Sequence, residues 1–196
     1  MLSVVVLAKG DERGVVATLA ALVPGAAAGL VRDVLLVDRA GGDSIARVAD
    51  VAGCHLLIQS GADGALLAAG AKAARSNWLL FVRAGAILEG SWIDETAQFM
   101  ETASLAPKAR AAVFRHARSP HADLKVRDAF KTARRFLLGP SADQGLLISR
   151  AHYDALGGHS PATDRAETKL LAKLRRKDRI ILRSRIVVGS SPLKQL

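Results

Sequence analysis

Residues 78–85 read WLLFVRAG. The first five of these residues are apolar without interruption, which is typical of a strand that is buried on both faces of a parallel sheet. The apolar run ends at Arg83, Ala84 and Gly85. Because the ligands of such sheets bind at the carboxyl ends of the strands, we expect Arg83 and Gly85 to lie at the edge of a binding cleft.

The first half of the chain alternates between apolar strands and amphipathic helices. Besides residues 78–82, strands are predicted over residues 2–7, 34–37 and 55–58. Helices are predicted from Asp11 or Glu12 to residue 23 and over residues 43–52, 64–74 and 91–103, the last with a capping box at Ser91 and Asp94. Strands that are separated by helices indicate an α/β fold, with a mainly parallel sheet covered on both faces.

The second half of the chain is less regular. Strands are predicted over residues 111–114, 145–149, 180–182 and 186–188, and helices over residues 122–138, 150–156 and 165–177. The sequence contains neither an internal repeat nor a low-complexity linker. We therefore expect one domain over residues 1–190, followed by a tail of residues 191–196.

Charge divides the chain into two parts. The net charge is +10, but residues 1–104 carry 8 Lys/Arg and 11 Asp/Glu, whereas residues 105–196 carry 20 and 7. Such an excess indicates an anionic partner, which is a nucleotide diphosphate, phospholipid headgroups or nucleic acid. The sequence lacks an aromatic-rich stacking strand and a helix-turn-helix pattern, which argues against specific nucleic-acid recognition. For each single charge, a solvated surface position is the simpler explanation.

Several features of the sequence indicate where in the cell the protein is found. No apolar run approaches the ~20 residues of a membrane span, and the apolar N-terminal stretch is predicted as a first strand, not a signal peptide. The single Cys54 suits a reducing cytoplasm. The predicted helix of residues 122–138 is basic and amphipathic, which suits either an anionic lipid surface or packing against the sheet. We therefore expect a cytoplasmic protein, either free or held peripherally at the inner membrane.

Five stretches, in order along nearly the whole chain, carry a resemblance to one family. They are residues 3–12 (SVVVLAKGDE), 37–44 (VDRAGGDS), 64–70 (GALLAAG), 142–158 (ADQGLLISRAHYDALGG) and 167–176 (ETKLLAKLRR). They are similar to SVVIPTYNEE, VDDGSTDG, GAALNAG, GDQGLFVRRELFERLGGF and the ED-x-x-L…LRR helix of family 2 glycosyltransferases. The closest likeness is to the short bacterial type without transmembrane helices.

The resemblance implies a GT-A fold, a Rossmann-like sheet flanked by helices. Residues 1–104 would form its nucleotide-binding half and residues 105–190 its acceptor half. The implied activity is inverting transfer of a sugar from a nucleotide-diphosphate sugar to a hydroxyl group. The acceptor would be a glycan, a lipid or a small molecule.

The donor-binding positions of the family fall on Ala8, Asp38, Arg83 and Gly85. Asp38 would accept hydrogen bonds from the donor's base, although Arg39 replaces the acidic residue that usually follows it. Arg83 and Gly85 stand where the family carries Asp-x-Asp, and their side chains offer no oxygen ligand to a divalent metal. We therefore expect no metal site, and Mg²⁺ or Mn²⁺ only weakly, together with a bound nucleotide diphosphate.

Two hypotheses for Arg83 remain open. In the first, its guanidinium takes the place of the metal by binding two phosphate oxygens. In the second, the site has decayed and Arg83 is solvated, as three independent changes at donor positions suggest: Arg39, Ala68 and Gly85. The protein would accordingly be a transferase or a non-catalytic relative that binds a nucleotide, a glycan or a partner enzyme. A third alternative is a basic protein that binds a membrane surface or nucleic acid.

The acceptor positions of the family fall on Asp143, Gln144 and Trp92, and the catalytic carboxylate falls on Glu167. Inverting transfer needs one base that deprotonates the acceptor hydroxyl, and a Glu can do this when its pKa is suitable. Asp164 is the alternative base. Glu167 can also be an ordinary residue near a helix N-terminus, and Trp92 can instead pack against the helix that it begins.

Overall fold

The computed structural model describes residues 1–117 and 142–188. The predicted basic helix of residues 122–138 and the tail of residues 191–196 lie outside these ranges, so the expected contact of that helix with a lipid surface stays a prediction. Among the helices of the described residues, none combines the length and the apolar character that a bilayer crossing requires.

The described residues form eight strands and six α-helices. The strands are β1 (Leu2–Leu7), β2 (Val31–Asp38), β3 (His55–Ile58), β4 (Trp78–Arg83), β5 (Ala86–Glu89), β6 (Ala111–Ala117), β7 (Leu146–Ser149) and β8 (Arg179–Val188). The helices are α1 (Glu12–Ala27), α2 (Asp43–Val51), α3 (Asp63–Ala73), α4 (Trp92–Leu105), α5 (Arg150–Ala155) and α6 (Ala166–Lys173). Two short 3₁₀ helices, Ala142–Gln144 and Arg176–Asp178, precede β7 and β8.

One sheet contains all eight strands, in the order β3-β2-β1-β4-β7-β6-β8-β5. The pairings β3–β2, β2–β1, β1–β4 and β6–β8 are parallel. β7 runs antiparallel to both β4 and β6 and thereby joins the first and second halves of the chain in one sheet. The predicted single-domain α/β fold with a mainly parallel sheet is confirmed.

Helices cover both faces of the sheet and create two cores. α1, α2 and α4 pack on one face, and α3, α5 and α6 pack on the other. In the second core, Phe81 of β4 stacks on Tyr153 at a centroid distance of 5.3 Å and meets His159 edge-on at 4.6 Å. Because side chains alternate along a strand, Arg83 lies on the same face of β4 as Phe81. The second core therefore supports the side of the sheet on which Arg83 lies.

The edge of the sheet formed by β5 and β8 differs from the prediction. β5 escapes prediction because it has only four residues, which are alternately buried and exposed. β8 is one continuous strand, although residues 180–182 and 186–188 are predicted as two. Its pairing with β6 is interrupted between Ile181 and Arg185, and in this bulge the carboxylate of Glu95 accepts the backbone N–H groups of Arg183 at 2.6 Å and Ser184 at 2.7 Å.

The starts of the helices agree more closely with the sequence predictions than their ends do. α1 follows Asp11 as predicted, and Asp11 Oδ1 accepts the backbone N–H of Gly14 at 3.0 Å. α4 begins after Ser91, but the predicted capping box is wrong, because the Ser91 side chain makes no capping hydrogen bond. The predicted helix of residues 165–177 is shorter than expected and ends at Lys173.

Candidate functional site

Three cations follow the carboxyl ends of three neighbouring strands. β2, β1 and β4 are parallel and in register, with Leu7 between Val37 on one side and Arg83 on the other. Lys9 follows β1 by two residues, Arg39 directly follows β2, and Arg83 ends β4. We call Lys9, Arg39 and Arg83 the cation row. It lies at the edge where α/β sheets bind their ligands.

Three carboxylates contact the cation row, and we call the sheet edge that the two groups occupy the cleft. They belong to Asp63, the first residue of α3, to Asp164 in the loop before α6, and to Glu167 in the first turn of α6. We call these three residues the carboxylate wall. Every member of the cation row is paired with at least one of them. The cleft is therefore lined by charges that compensate each other.

Asp63 holds two members of the cation row. Its side chain is 2% exposed, and Lys9 Nζ lies 2.5 Å from Oδ2 in an ion pair that lacks hydrogen-bond geometry. Arg39 Nη2 lies 3.3 Å from Asp63 Oδ1 and also 3.3 Å from Asp164 Oδ1. Arg39 thus connects the start of α3 with the loop before α6.

Asp164 is the exposed member of the carboxylate wall, with 69% of its side chain accessible. Its Oδ1 accepts the backbone N–H of Asp63 at 3.1 Å, a donor at the start of α3 that has no partner within the helix. This hydrogen bond, together with the charges of Arg39 and Lys9, holds the pKa of Asp164 below its usual range. A lowered pKa argues against Asp164 as a general base, because it reflects a weak affinity for the proton.

Arg83 and Glu167 form the ion pair at the end of β4. Arg83 Nε donates to Glu167 Oε2 at 2.8 Å, and Nη2 donates to the same oxygen. The Arg83 side chain is 28% exposed, whereas that of Glu167 is only 5% exposed. Burial raises the pKa of Glu167, and the charge of Arg83 opposes this shift without cancelling it. Burial alone would lower the pKa of Arg83, but its interactions with Glu167 raise it.

The side chain of Asp38 connects two loops. It is almost fully buried, and its two oxygens accept the backbone N–H groups of Gly10 at 3.0 Å and Gly41 at 2.9 Å. Asp38 therefore joins the loops that follow β1 and β2. Its expected contact with the donor's base stays a prediction.

Ala8 and Gly85 are buried beside members of the cation row and act through their backbones. Ala8 is fully buried; its N–H donates to Val37 O at 2.9 Å, and its carbonyl accepts the N–H of Asp11 at 3.1 Å. Gly85 has a φ of +84°, a left-handed conformation that favours glycine, and its N–H donates to Gly14 O at 2.9 Å. Both residues fix the turns that carry the cation row, and neither presents a side chain to a ligand.

A close backbone approach at Gly64 brings the carboxylate wall to the cleft. The N–H of Gly64 donates to Thr163 O at 3.1 Å. A Cβ atom at Gly64 would lie only 1.9 Å from Ser160 O, which no side chain can accommodate. Glycine at this position therefore allows the loop before α6, which contains Asp164, to lie directly against the start of α3.

The residues expected on the acceptor side occupy different places. Asp143 and Gln144 lie in the 3₁₀ helix before β7, where Asp143 acts through its charge on both Arg83 and Glu167. Gln144 Nε2 donates to Phe114 O at 3.0 Å. Trp92, by contrast, is 3% exposed and packs in the first core against Gly25 of α1. This burial favours packing as the role of Trp92, and its expected acceptor contact stays a prediction.

The side chains around the cleft do not fit a divalent metal site. Within residues 1–117 and 142–188, no group of three or more potential ligating side chains comes together. The nearest carboxylates are already engaged: Asp38 with backbone N–H groups, and Asp63 and Glu167 with members of the cation row. Mg²⁺ and Mn²⁺ need several free oxygen ligands, which this donor set does not provide.

No protein-family model matches the sequence, and no curated protein matches it in a sequence comparison. Solved structures do match. TarS from S. aureus in complex with UDP-GlcNAc has a TM-score of 0.68 at 14% identity, over 100% of this chain and 61% of that one. Glucosyl-3-phosphoglycerate synthase from Mycobacterium tuberculosis, in complex with Mn²⁺, UDP and phosphoglyceric acid, has a TM-score of 0.68 at 15% identity, over 98% and 72%.

A third similar structure is the mannosyltransferase PcManGT from Pyrobaculum calidifontis in complex with GDP-Man and Mn²⁺, with a TM-score of 0.67 at 14% identity, over 98% and 57% of the two chains. This chain has the GT-A fold. It spans between 57% and 72% of the length of these three structures. At such low identities the likeness describes the fold, and the activity has to be argued from the cleft.

Proposed function

We propose that this protein transfers a sugar from a nucleotide-diphosphate donor to an acceptor hydroxyl without a metal bound by the protein. Two observations support the proposal. The GT-A fold is shared with transferases whose structures contain UDP-GlcNAc or GDP-Man. The cleft of this chain carries three cations at the carboxyl ends of β1, β2 and β4, where a diphosphate would need counter-charges.

The observation that carries the proposal is the ion pair of Arg83 with Glu167. It brings together a guanidinium suited to phosphate oxygens and a carboxylate suited to proton transfer. A raised pKa, which burial gives Glu167, brings a carboxylate closer to the pH at which a general base is most effective.

In the proposed reaction, a carboxylate oxygen of Glu167 removes the proton of the acceptor hydroxyl. The acceptor oxygen then forms a bond to the anomeric carbon on the face opposite the diphosphate. The bond between that carbon and the diphosphate oxygen breaks, and its electron pair leaves with the diphosphate. Arg83 stabilises the negative charge that develops on this leaving group. We assign acceptor binding to Asp143 and Gln144, which lie beside the pair.

A second candidate function is nucleotide or glycan binding without transfer. The observation that favours it is the complete internal pairing of the cation row, since Lys9, Arg39 and Arg83 all have carboxylate partners. The burial of Asp38 also supports this alternative, because its carboxylate is engaged with backbone N–H groups. In this alternative the cleft would bind a ligand, and Glu167 would only hold Arg83 in place.

The experiment that separates the two candidates measures nucleotide-diphosphate release from UDP-glucose, UDP-GlcNAc and GDP-mannose in EDTA. A transferase without its acceptor releases the nucleotide slowly by transfer to water. We expect Glu167→Gln to lower this rate by at least about 100-fold, the contribution typical of a general base. Glu101→Gln, an exposed residue of α4 on the other face of the sheet, is the matched control and should keep the rate. No release by the wild type above a protein-free control would favour binding without transfer, whereas equal measurable rates for the wild type and Glu167→Gln would show that Glu167 is not the base.

A further inference from the structure

Accessibility differs between the two sides of the paired cleft. In the cation row, Lys9 is 48% exposed, Arg39 55% and Arg83 28%. In the carboxylate wall, Asp63 and Glu167 are nearly buried, and only Asp164 is exposed, at 69%. A ligand that enters from solvent therefore meets three accessible cations and one accessible carboxylate. This excess of accessible positive charge favours an anionic ligand.

We propose that the cation row binds the phosphate groups of its ligand by exchange, in which phosphate oxygens replace Asp164 on Arg39 and Glu167 on Arg83. The inference rests on the proposed function, because it takes the donor's diphosphate as the ligand. It also assigns Lys9 and Arg39 to phosphate binding, a role for which the family resemblance gives no counterpart.

The geometry of Arg39 suits this exchange. Its Nη2 contacts both Asp63 and Asp164 at 3.3 Å, so one guanidinium already bridges two carboxylate groups. The partner Asp164 is exposed, and solvent weakens ion pairs at exposed sites. Asp63 is buried and paired with Lys9 as well, so it stays in place and positions both cations. A phosphate oxygen can thus take the position of Asp164 while Arg39 remains anchored.

The geometry of Arg83 suits the exchange in a second way. Nε and Nη2 both donate to one oxygen of Glu167, so the planar fork does not make the two-oxygen contact that it prefers. A phosphate group offers two oxygens to the same fork. The charges that face Arg83 are those of Glu167, Asp143 and Asp63. Of these, Glu167 is hydrogen-bonded to Arg83.

The exchange connects ligand binding with the proposed chemistry. While Arg83 holds Glu167 Oε2, that oxygen is engaged as an acceptor and is less available to an acceptor hydroxyl. When phosphate takes over Arg83, the carboxylate of Glu167 is released within the cleft. The base thus becomes available once the donor is bound, which disfavours proton transfer in the empty cleft.

In the exchange, the carboxylates of Asp164 and Glu167 compete with the ligand for Arg39 and Arg83. Neutralising either carboxylate should therefore strengthen ligand binding. Asp164→Asn and Glu167→Gln should each bind inorganic pyrophosphate and UDP about two- to fivefold more tightly than the wild type, measured by calorimetry in EDTA. Both substitutions keep an oxygen that accepts a hydrogen bond, so the N–H of Asp63 and the guanidinium of Arg83 retain partners. Arg39→Ala should weaken binding by about fivefold or more.

The matched control is Glu101→Gln, which changes the net charge by the same amount at a site remote from the cleft. Its affinity should equal that of the wild type, and thermal melting should show that all variants fold. Tighter binding by both Asp164→Asn and Glu167→Gln supports the exchange. Unchanged or weaker binding by either, no binding by any variant, or an equal gain in Glu101→Gln overturns it.

The exchange and the proposed function fail in different ways. If the variants bind pyrophosphate more tightly but the wild type releases no nucleotide from any donor, the exchange stands and the transferase proposal falls. If the wild type releases nucleotide and the two variants show no gain in affinity, the transferase proposal stands and the exchange falls. Glu167→Gln is the most informative variant, since its affinity should rise while its rate falls.

Discussion

Arg83 and Glu167 are 84 residues apart in the chain and form an ion pair in which two guanidinium nitrogens donate to one carboxylate oxygen. Arg83 comes from the central strand β4, and Glu167 comes from the first turn of α6. The pair therefore fastens the second half of the chain to the sheet edge of the first half. The same two residues are those that the sequence singles out for donor binding and catalysis.

Removal of Arg83 should destabilise the protein through Glu167. Arg83→Ala leaves a carboxylate that is 5% exposed without its counter-ion, and we expect a loss of about 1–3 kcal/mol in the free energy of unfolding by urea at pH 7. Arg83→Ala combined with Glu167→Gln should recover part of this loss. Arg47→Ala, at an exposed position of α2, is the control and should change the free energy of unfolding little.

The same variant should show a specific pH dependence. Burial raises the pKa of Glu167, and without Arg83 nothing opposes this shift at short range. A group whose pKa is raised by folding stabilises the protein below its unfolded pKa and loses that contribution as the pH rises through the folded pKa. The loss in the free energy of unfolding that Arg83→Ala causes should therefore become smaller as the pH falls from 7 towards about 4.5. A loss of stability that is constant over this pH range would contradict the claim that Glu167 is buried without a counter-ion in this variant.

The sheet is the part of the fold that the sequence predicts best. β1 and β3 have the predicted bounds, and β4 extends only one residue further, to Arg83. Continuous apolar runs define these strands because they are covered on both faces. β5 and the middle of β8 are not predicted, because a half-buried edge strand and a polar segment held by Glu95 leave no clear pattern in the sequence.

The site is predictable in its residues but not in its contacts. Arg83 and Glu167 stand out by position, yet nothing in the sequence indicates that they bind each other. Asp38 stands out as a ligand-binding residue, and the structure shows its oxygens on Gly10 and Gly41. Pairings between residues so far apart depend on the way α3 and α6 approach the sheet, which local patterns do not encode.

Nucleotide binding should depend little on divalent metal. The carboxylates of Asp63, Asp164 and Glu167 are engaged with cations or a backbone N–H group, so they add few ligands to a metal bound by a diphosphate. We expect the dissociation constants of UDP and GDP in EDTA and in Mn²⁺ to differ by less than about tenfold. A larger tightening by Mn²⁺, about 1.4 kcal/mol or more, would require metal ligands that this cleft does not offer.

His159 should make the fold sensitive to mild acid. Its ring nitrogen lies 3.0 Å from the Tyr153 hydroxyl, and burial lowers its pKa from 6.5 to about 4. A group whose pKa is lowered by folding stabilises the protein above its unfolded pKa and loses that contribution as the pH falls through the folded pKa. The free energy of unfolding should therefore decrease by up to about 3 kcal/mol between pH 6.5 and 4.

His159→Gln is the variant that tests this assignment, because glutamine can bond the Tyr153 hydroxyl and does not titrate. Urea unfolding at several pH values should show a smaller loss of stability for this variant than for the wild type between pH 6.5 and 4. Equal slopes for the two proteins would show that other groups cause the acid sensitivity.

Substitution of Gly64 should disturb both stability and the cleft. A Cβ atom there would lie 1.9 Å from Ser160 O, so Gly64→Ala forces the loop before α6 away from α3 and should cost about 1–3 kcal/mol in urea unfolding. Because that loop carries Asp164 and leads to Glu167, nucleotide affinity should change as well. Gly42→Ala is the matched control, since Gly42 has open space around it and a φ of −59° that alanine adopts readily. Equal stability of the two variants would mean that the loop moves freely and that its contact with α3 does not position the carboxylate wall.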